Sequence, residues 1–182
     1  EAGAVGIKLH PRAERFGMDE PGVREIVAVA HEWRVPVLIH AGRGIPALGR
    51  HTVELSAEFP DARLILAHAG VSDLAWLWHV LPEHPNVFLD TAWWNPADHL
   101  ALFSLVAPSQ IVWASDSPYG LPLLAAWCHL RCALQAGVSG EALRSIMGGQ
   151  IARLVAREDP LWVGDPPGPP TRPLHPLLDR VA

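Results

Sequence analysis

Three short strings hold the residues best placed to do chemistry: LIHAG at 38–42, LAHAG at 66–70 and ASDSP at 114–118. In each, an apolar, β-favouring run delivers one ionisable residue (His40, His68 or Asp116) and then breaks on Gly or Pro. Near-continuous apolar runs of this length are how buried parallel strands read. The C-terminal ends of such strands are where α/β folds place their reacting groups. Two histidines and an aspartate, each ending a separate strand, can meet at one point. Imidazole and carboxylate brought together in this way are the ligand set of a catalytic metal site.

Positioning them requires strands held in a fixed order, and the chain supplies candidates at even intervals. Apolar runs at 3–10, 35–40, 62–68, 86–91 and 110–116 predict five strands. Helical periodicity lies between them, at 21–33 with Val23, Ile26, Val27 and Ala30 on one stripe, and less cleanly at 51–59. A helix at 72–81 is expected to open on Ser72, and one at 95–106 on Asn95 as cap with Pro96 at its first position. Two more follow, one closing at Gly137 and one running from Ser139 to Gly148. Strand–helix alternation predicts an α/β fold with a parallel sheet. No Gly-rich phosphate loop follows any strand, and the ionisable residues end three different strands, so a (β/α)8 barrel is favoured over an open sheet. A full barrel needs about 250 residues. Five units in 182 residues therefore predict a partial TIM barrel, its last five strands (the fourth to the eighth), with open edges at the first and last strands present.

Composition narrows the function. At 49% hydrophobic and 18% charged residues, the chain has enough apolar content for one sizeable core. A formal net charge of −5 with no basic run argues against a nucleic-acid partner. No apolar stretch approaches the ~20 residues that span a bilayer, so no membrane partner is expected. The opening EAGAVGIKLHP lacks a secretory pattern and a Met and enters a strand at once, which predicts a piece of something longer. Cys128 and Cys132, four apart on a helix, read as small buried hydrophobes of a reducing compartment, hence a cytoplasmic location. From Arg157 onward proline is dense and no period is sustained, so 1–157 is expected to be the barrel part and 158–182 an extended surface tail.

Other residues have two readings each. Lys8 and His10 share strand parity and can both face the mouth. His10 either lines the pocket or caps the strand before Pro11. Arg43 binds an anionic substrate or is a solvated loop arginine, and Trp93 and Trp94 wall a pocket or pack on the rim. Asp90 is expected to play a structural or supporting part. His31, His79, His84, His99 and His129 are expected at the surface.

In this order, GIKLHP, PVLIHAG, FPDARLILAHAG, NVFLDT and IVWASDSPYG resemble the amidohydrolase superfamily, in particular its amidohydrolase-related branch of metal-dependent hydrolases, lactonases and decarboxylases. LRSIMGGQIARLV is similar to that branch's closing helix, with Gln150 where Asn is usual. The resemblance runs from about Gly3 to Val155. It implies that His40 is the fifth-strand metal ligand and that His68 is the sixth-strand histidine contacting water or substrate, to steady an oxyanion or relay a proton. Asp116 is then the eighth-strand aspartate that touches the metal and takes the proton from its water. Lys8 stands where some branches carry a carbamylated lysine, and here it is equally an anchor for a substrate carboxylate. With Lys8, His10, Arg43 and Trp93 near the substrate, the implied function is hydrolysis of a small molecule by metal-activated water, or non-oxidative decarboxylation at the same site. The implied cofactor is a divalent metal, zinc before others.

The resemblance departs at one place: the family's first-strand His-x-His pair has no counterpart in this chain. Alone, the chain is expected to bind metal weakly and to be inactive. The competing expectation is a non-catalytic half-barrel stabilised by pairing, and a homo-oligomer stays open.

Overall fold

Each of the five apolar runs forms a strand, and each strand is shorter than its run: β1 (Ile7–Leu9), β2 (Pro36–Ile39), β3 (Arg63–Leu66), β4 (Val87–Asp90) and β5 (Ile111–Val112). The structure is a computed structural model that describes residues 3–42, 44, 48–92 and 95–169. The strands pair in parallel in the order β1-β2-β3-β4-β5. The register places Leu9, Ile39, Leu66, Leu89 and Ile111 in one row, and Lys8, Leu38, Ile65 and Phe88 in the row before it. The sheet does not close. It is a partial barrel whose edges are β1 and β5.

The helices are α1 (Pro11–Glu14), α2 (Pro21–Trp33), α3 (Leu48–Glu58), α4 (Leu74–Val80), α5 (Pro96–Leu105), α6 (Pro122–Ala136), α7 (Gly140–Arg144) and α8 (Gln150–Val155). Local signals set several boundaries. α2 spans the expected residues and buries Val23, Val27 and Ala30. Asn95 caps α5 by accepting from the Ala97 amide, and Gly137 closes α6 at a φ of 90°, where a Cβ would be strained.

Elsewhere the boundaries differ for tertiary reasons. α3 begins at Leu48, three residues early, because Gly49 packs flat against Asp73 and donates its amide to Asp73 Oδ2 at 2.9 Å. A Cβ on Gly49 would stand 2.9 Å from Asp73 Cβ. Ser72 is not the cap of α4: its hydroxyl donates to the Gly42 carbonyl, and Asp73 precedes the helix instead. The chain does not stop at Gly148. After a π-helical turn at Ser145–Gly149 it continues as α8.

The two faces of the sheet pack differently. Leu9, Val37, Ile39, Leu64, Leu66, Val87, Leu89 and Ile111 meet the outer helices through Val27, Leu55, Leu77 and Phe103. Leu38, Ile65, Phe88 and Val112 face the other way, onto Ile151 and Leu154 of α8. Full burial of each such side chain is worth about 1.5–3 kcal/mol, so these two layers hold the strand ends in place. Beyond α8, residues 158–169 form no helix or strand, yet Leu161, Val163 and Gly168 donate their amides to Gln150, Ser109 and Ser104. No helix among the described residues is long and apolar enough to cross a membrane.

Candidate active site

At the C-terminal edge of the sheet the backbone leaves strand geometry, and the ionisable residues appear at those departures. His10 follows β1 and caps α1: its Nδ1 accepts from the Ala13 amide at 3.2 Å, while Glu14 accepts from the His10 amide. His40 follows β2. His68 follows β3 with a φ of 58°, and Asp116 stands beyond β5 with a φ of 58°. Alternation along the strand therefore does not carry through to His68 or Asp116. Non-glycine residues in the left-handed region cost roughly 1–3 kcal/mol each and cluster at functional sites.

Three imidazoles make a row. His10 stacks on His40, with centroids 3.9 Å apart and planes at 12°. His40 meets His68 edge-on, and His40 Nδ1 lies 3.1 Å from His68 Nε2. His68 Nδ1 lies 2.6 Å from the Ala92 carbonyl oxygen. Beneath them Asp90, buried, accepts at one oxygen from the His68 amide at 2.7 Å and the Ala92 amide at 2.9 Å. One carboxylate thus ties the turn after β3 to the turn after β4. Its supporting role is structural.

The electrostatics follow from this crowding. Burial pushes His40 from 6.5 down to about 4, and neighbouring His10, His68, Lys8 and Arg12 push the same way. His40 is therefore neutral at physiological pH, as a metal ligand or proton acceptor must be. Burial raises the Asp90 carboxyl, against the two amides that stabilise its charge. Lys8 stands at the exposed β1 edge, yet the protein around it still lowers its ammonium by desolvation, opposed by the carboxylates of Asp90, Asp116 and Glu14. Asp116 is thus near enough to Lys8 for the two charges to interact.

The Asp116 loop is shaped by one glycine. A Cβ on Gly120 would fall 1.9 Å from the Ser115 carbonyl oxygen, while the Gly120 amide donates to the Asp116 carbonyl at 3.0 Å. A cavity of about 350 Å³ opens beside this loop, walled by Ser115, Tyr119, Leu121, Leu124, Cys128 and His129. A larger one, about 450 Å³, lies by Gly3, Gly6, Val29 and Trp33 near β1, among none of the residues at the mouth.

The structure therefore brings together His10, His40 and His68, with Lys8 beside them, while among the described residues Asp116 makes no contact with the three imidazoles. Arg43, Trp93 and Trp94 lie outside the described residues. His99 and His129 are not at the surface. They are 1% and 2% exposed and pack ring against ring, 4.1 Å between centroids, where α5 meets α6. Their apolar helical neighbours carried the signal for burial. Cys132 is buried, Cys128 partly so, and both are free thiols. Sequence reading missed Gly42, Gly120 and the Ala92 carbonyl, for which the only signal was a glycine or small residue next to a strand end.

An amidohydrolase family profile matches residues 1–157, and the chain belongs to that family. No curated protein sequence matches it. Among solved structures it is similar to a TIM-barrel protein from Bordetella bronchiseptica, at 19% identity and a TM-score of 0.69, covering 85% of this chain and 58% of that one. It is also similar to 4-oxalomesaconate hydratase from Rhodopseudomonas palustris (18% identity, TM-score 0.58, covering 86% and 58%). A third is 5-carboxyvanillate decarboxylase from Sphingomonas paucimobilis (16% identity, TM-score 0.61, covering 84% and 58%). At these identities the likeness shows the fold, and the chain spans about 58% of the length of these structures.

Proposed function

We propose that this chain forms the catalytic-base side of a metal-dependent hydrolase acting on a small molecule. The single observation that carries the reading is the row of His10, His40 and His68 at the strand ends, with Lys8 beside it and Asp116 within electrostatic reach of Lys8. The donors fit an ion in part. His40 is neutral, no side chain at Gly42 crowds its Nε2, and Asp116 adds a carboxylate. Among the described residues no three His, Cys, Asp or Glu side chains could hold a metal together. Catalytic zinc normally has three or more protein ligands, so the reading requires donors beyond the described residues.

When bound, a divalent ion, zinc before others, would supply a water of lowered pKa and polarise the substrate. His40 and Asp116 would hold it. Asp116 would accept the proton of the attacking water, and His68 would steady an oxyanion or relay a proton. Lys8, whose ammonium already answers to carboxylates, pairs with a carboxylate of the substrate, and His10 lines the same side. That cation favours one second reading, non-oxidative decarboxylation at this site, the activity named for one structural neighbour. We place the protein in the cytoplasm, with no nucleic-acid or membrane partner, and take residues from 158 onward as a separate tail, of which 158–169 lie against the barrel part and 170–182 are outside the described residues.

Metal analysis and kinetics on two variants of the full chain test the reading, with esters, lactones, amides and aromatic carboxylic acids as substrates. His40→Ala is expected to lose both metal and turnover. Asp116→Asn is expected to keep much of the metal and lose about 10²–10⁴ in turnover, the usual cost of a general base. An Asp116→Asn variant retaining more than about a tenth of turnover overturns the assignment. Oxygen from labelled water in the product marks hydrolysis, and carbon dioxide without it marks decarboxylation.

A further inference from the structure

We propose that residues 158–163 are a clasp: they fasten the open β5 edge of the sheet from its N-terminal end, and Gln150 is the catch on which they close.

β5 has the least support of the five strands. It is two residues long and pairs only with β4, through Leu89↔Ile111 and Asp90↔Val112. On one face Val112 packs with Leu154 of α8. Whatever joins α8 to the turn before β5 therefore holds this edge.

Gln150, the first residue of α8, makes that join and is wholly buried. Its Nε2 donates to the Ser109 carbonyl, in the turn that leads into β5, and to the Leu161 carbonyl at 3.3 Å. Its Oε1 accepts from the Leu161 amide at 3.0 Å. A carboxamide has two N–H groups and an oxygen to satisfy. Ser109 meets one of these needs, and Leu161 meets the rest. Beyond Leu161, the Val163 amide donates to Ser109 Oγ at 2.7 Å, so Ser109 is held by its backbone and its side chain together.

The same segment completes a second buried group. Arg63, at the start of β3, is 3% exposed, and its guanidinium donates to the Asp61 and Glu158 carbonyls. Asp159 stands 3.6 Å from it and also pairs with Arg34 after α2. A partial release would leave a buried carboxamide or guanidinium short of a partner. The segment therefore holds or lets go as one unit. The ion pairs are its weaker part, because the Asp159 side chain is 79% exposed and water screens it. The catch is Gln150 and not the charges.

Backbone hydrogen exchange on the full chain tests this. In the wild-type chain Leu161 and Val163 should be protected, as should Ala67, whose amide donates to the Ile39 carbonyl inside the sheet. Leu161→Pro removes the donor to Gln150 Oε1 from a half-exposed position and leaves the Gln150–Ser109 contact in place. Gln150→Ala removes the catch itself. Both should speed exchange at Val163 about tenfold or more, the effect of losing one or two hydrogen bonds. Both should also speed it at Trp113, whose amide donates to the Ile146 carbonyl just beyond β5, and leave Ala67 unchanged. Asp159→Asn should change Val163 less than about twofold. Leu161 and Val163 exchanging as in an unstructured chain overturn the clasp. Val163 protection kept in Leu161→Pro overturns Gln150 as the catch, whether or not Gln150→Ala folds. Faster exchange at Val163 with Trp113 unchanged in Leu161→Pro overturns the fastening of β5.

Discussion

The two ends of the sheet both bury polar groups, and they do so in opposite ways. At the N-terminal end the groups are amides that end their hydrogen-bonding capacity on backbone. Asn86 Nδ2 donates to the carbonyls of Ser56, Phe59 and Ala62, and Gln110 Nε2 to those of Leu81, His84 and Val87. Gln150 closes onto Ser109 and Leu161 in the same manner. Buried Arg63 donates to the Asp61 and Glu158 carbonyls. At the C-terminal end the groups are imidazoles, carboxylates and an ammonium, and among the described residues His40 Nε2, the Asp116 carboxylate and Lys8 Nζ make no hydrogen bond. The first end spends its amide side chains on backbone carbonyls and carries stability. The second is held but unsaturated, which is what chemistry requires.

The comparison breaks if the two ends respond alike to substitution. The largest effect is expected from Asp116→Asn, which should cost about 10²–10⁴ in turnover with little change in unfolding. Gly120→Ala comes next. The added Cβ cannot coexist with the Ser115 carbonyl, so the loop bearing Asp116 must shift. A displacement of about 1 Å at a reacting group can cost 10²-fold, and steady-state kinetics should show a loss of that order. Asn86→Ala should do the reverse, leaving turnover per folded molecule unchanged while stranding buried carbonyls. The cost is about 1–3 kcal/mol, or ~2–4 °C in melting temperature per kcal/mol for a chain of this size, read by denaturant and thermal unfolding. An Asn86→Ala variant that loses turnover without stability would erase the distinction.

The smallest effect is in pH dependence. His40 titrates at about 4 in the folded chain against 6.5 ordinarily. Between these values the unfolded chain binds a proton that the folded one refuses. This contribution to stability is therefore full above pH 6.5, falls as the pH drops toward 4, and is flat below. In metal-free protein, His40→Gln should flatten that part of the curve. An unchanged slope would show that His40 is not held neutral by its neighbours.

Much of the architecture was readable from local pattern because its causes are local. The stripe of α2, the Asn95 cap, the Gly137 terminus and the five apolar runs each depend on residues within a few positions of one another. For the same reason His40, His68 and Asp116 could be picked out, as ionisable residues at the ends of apolar runs. What the tertiary structure alone decided depends on groups 20 or more residues away. The Asp90 carboxylate finds the His68 amide across 22 positions, the His68 ring finds the Ala92 carbonyl across 24, and Gly49 enters α3 because Asp73 faces it. His99 and His129 are buried against each other only because α5 and α6 pack together. Whether an imidazole becomes a core filler or a free lone pair depends on which backbone lies opposite it, and sequence spacing carries no record of that.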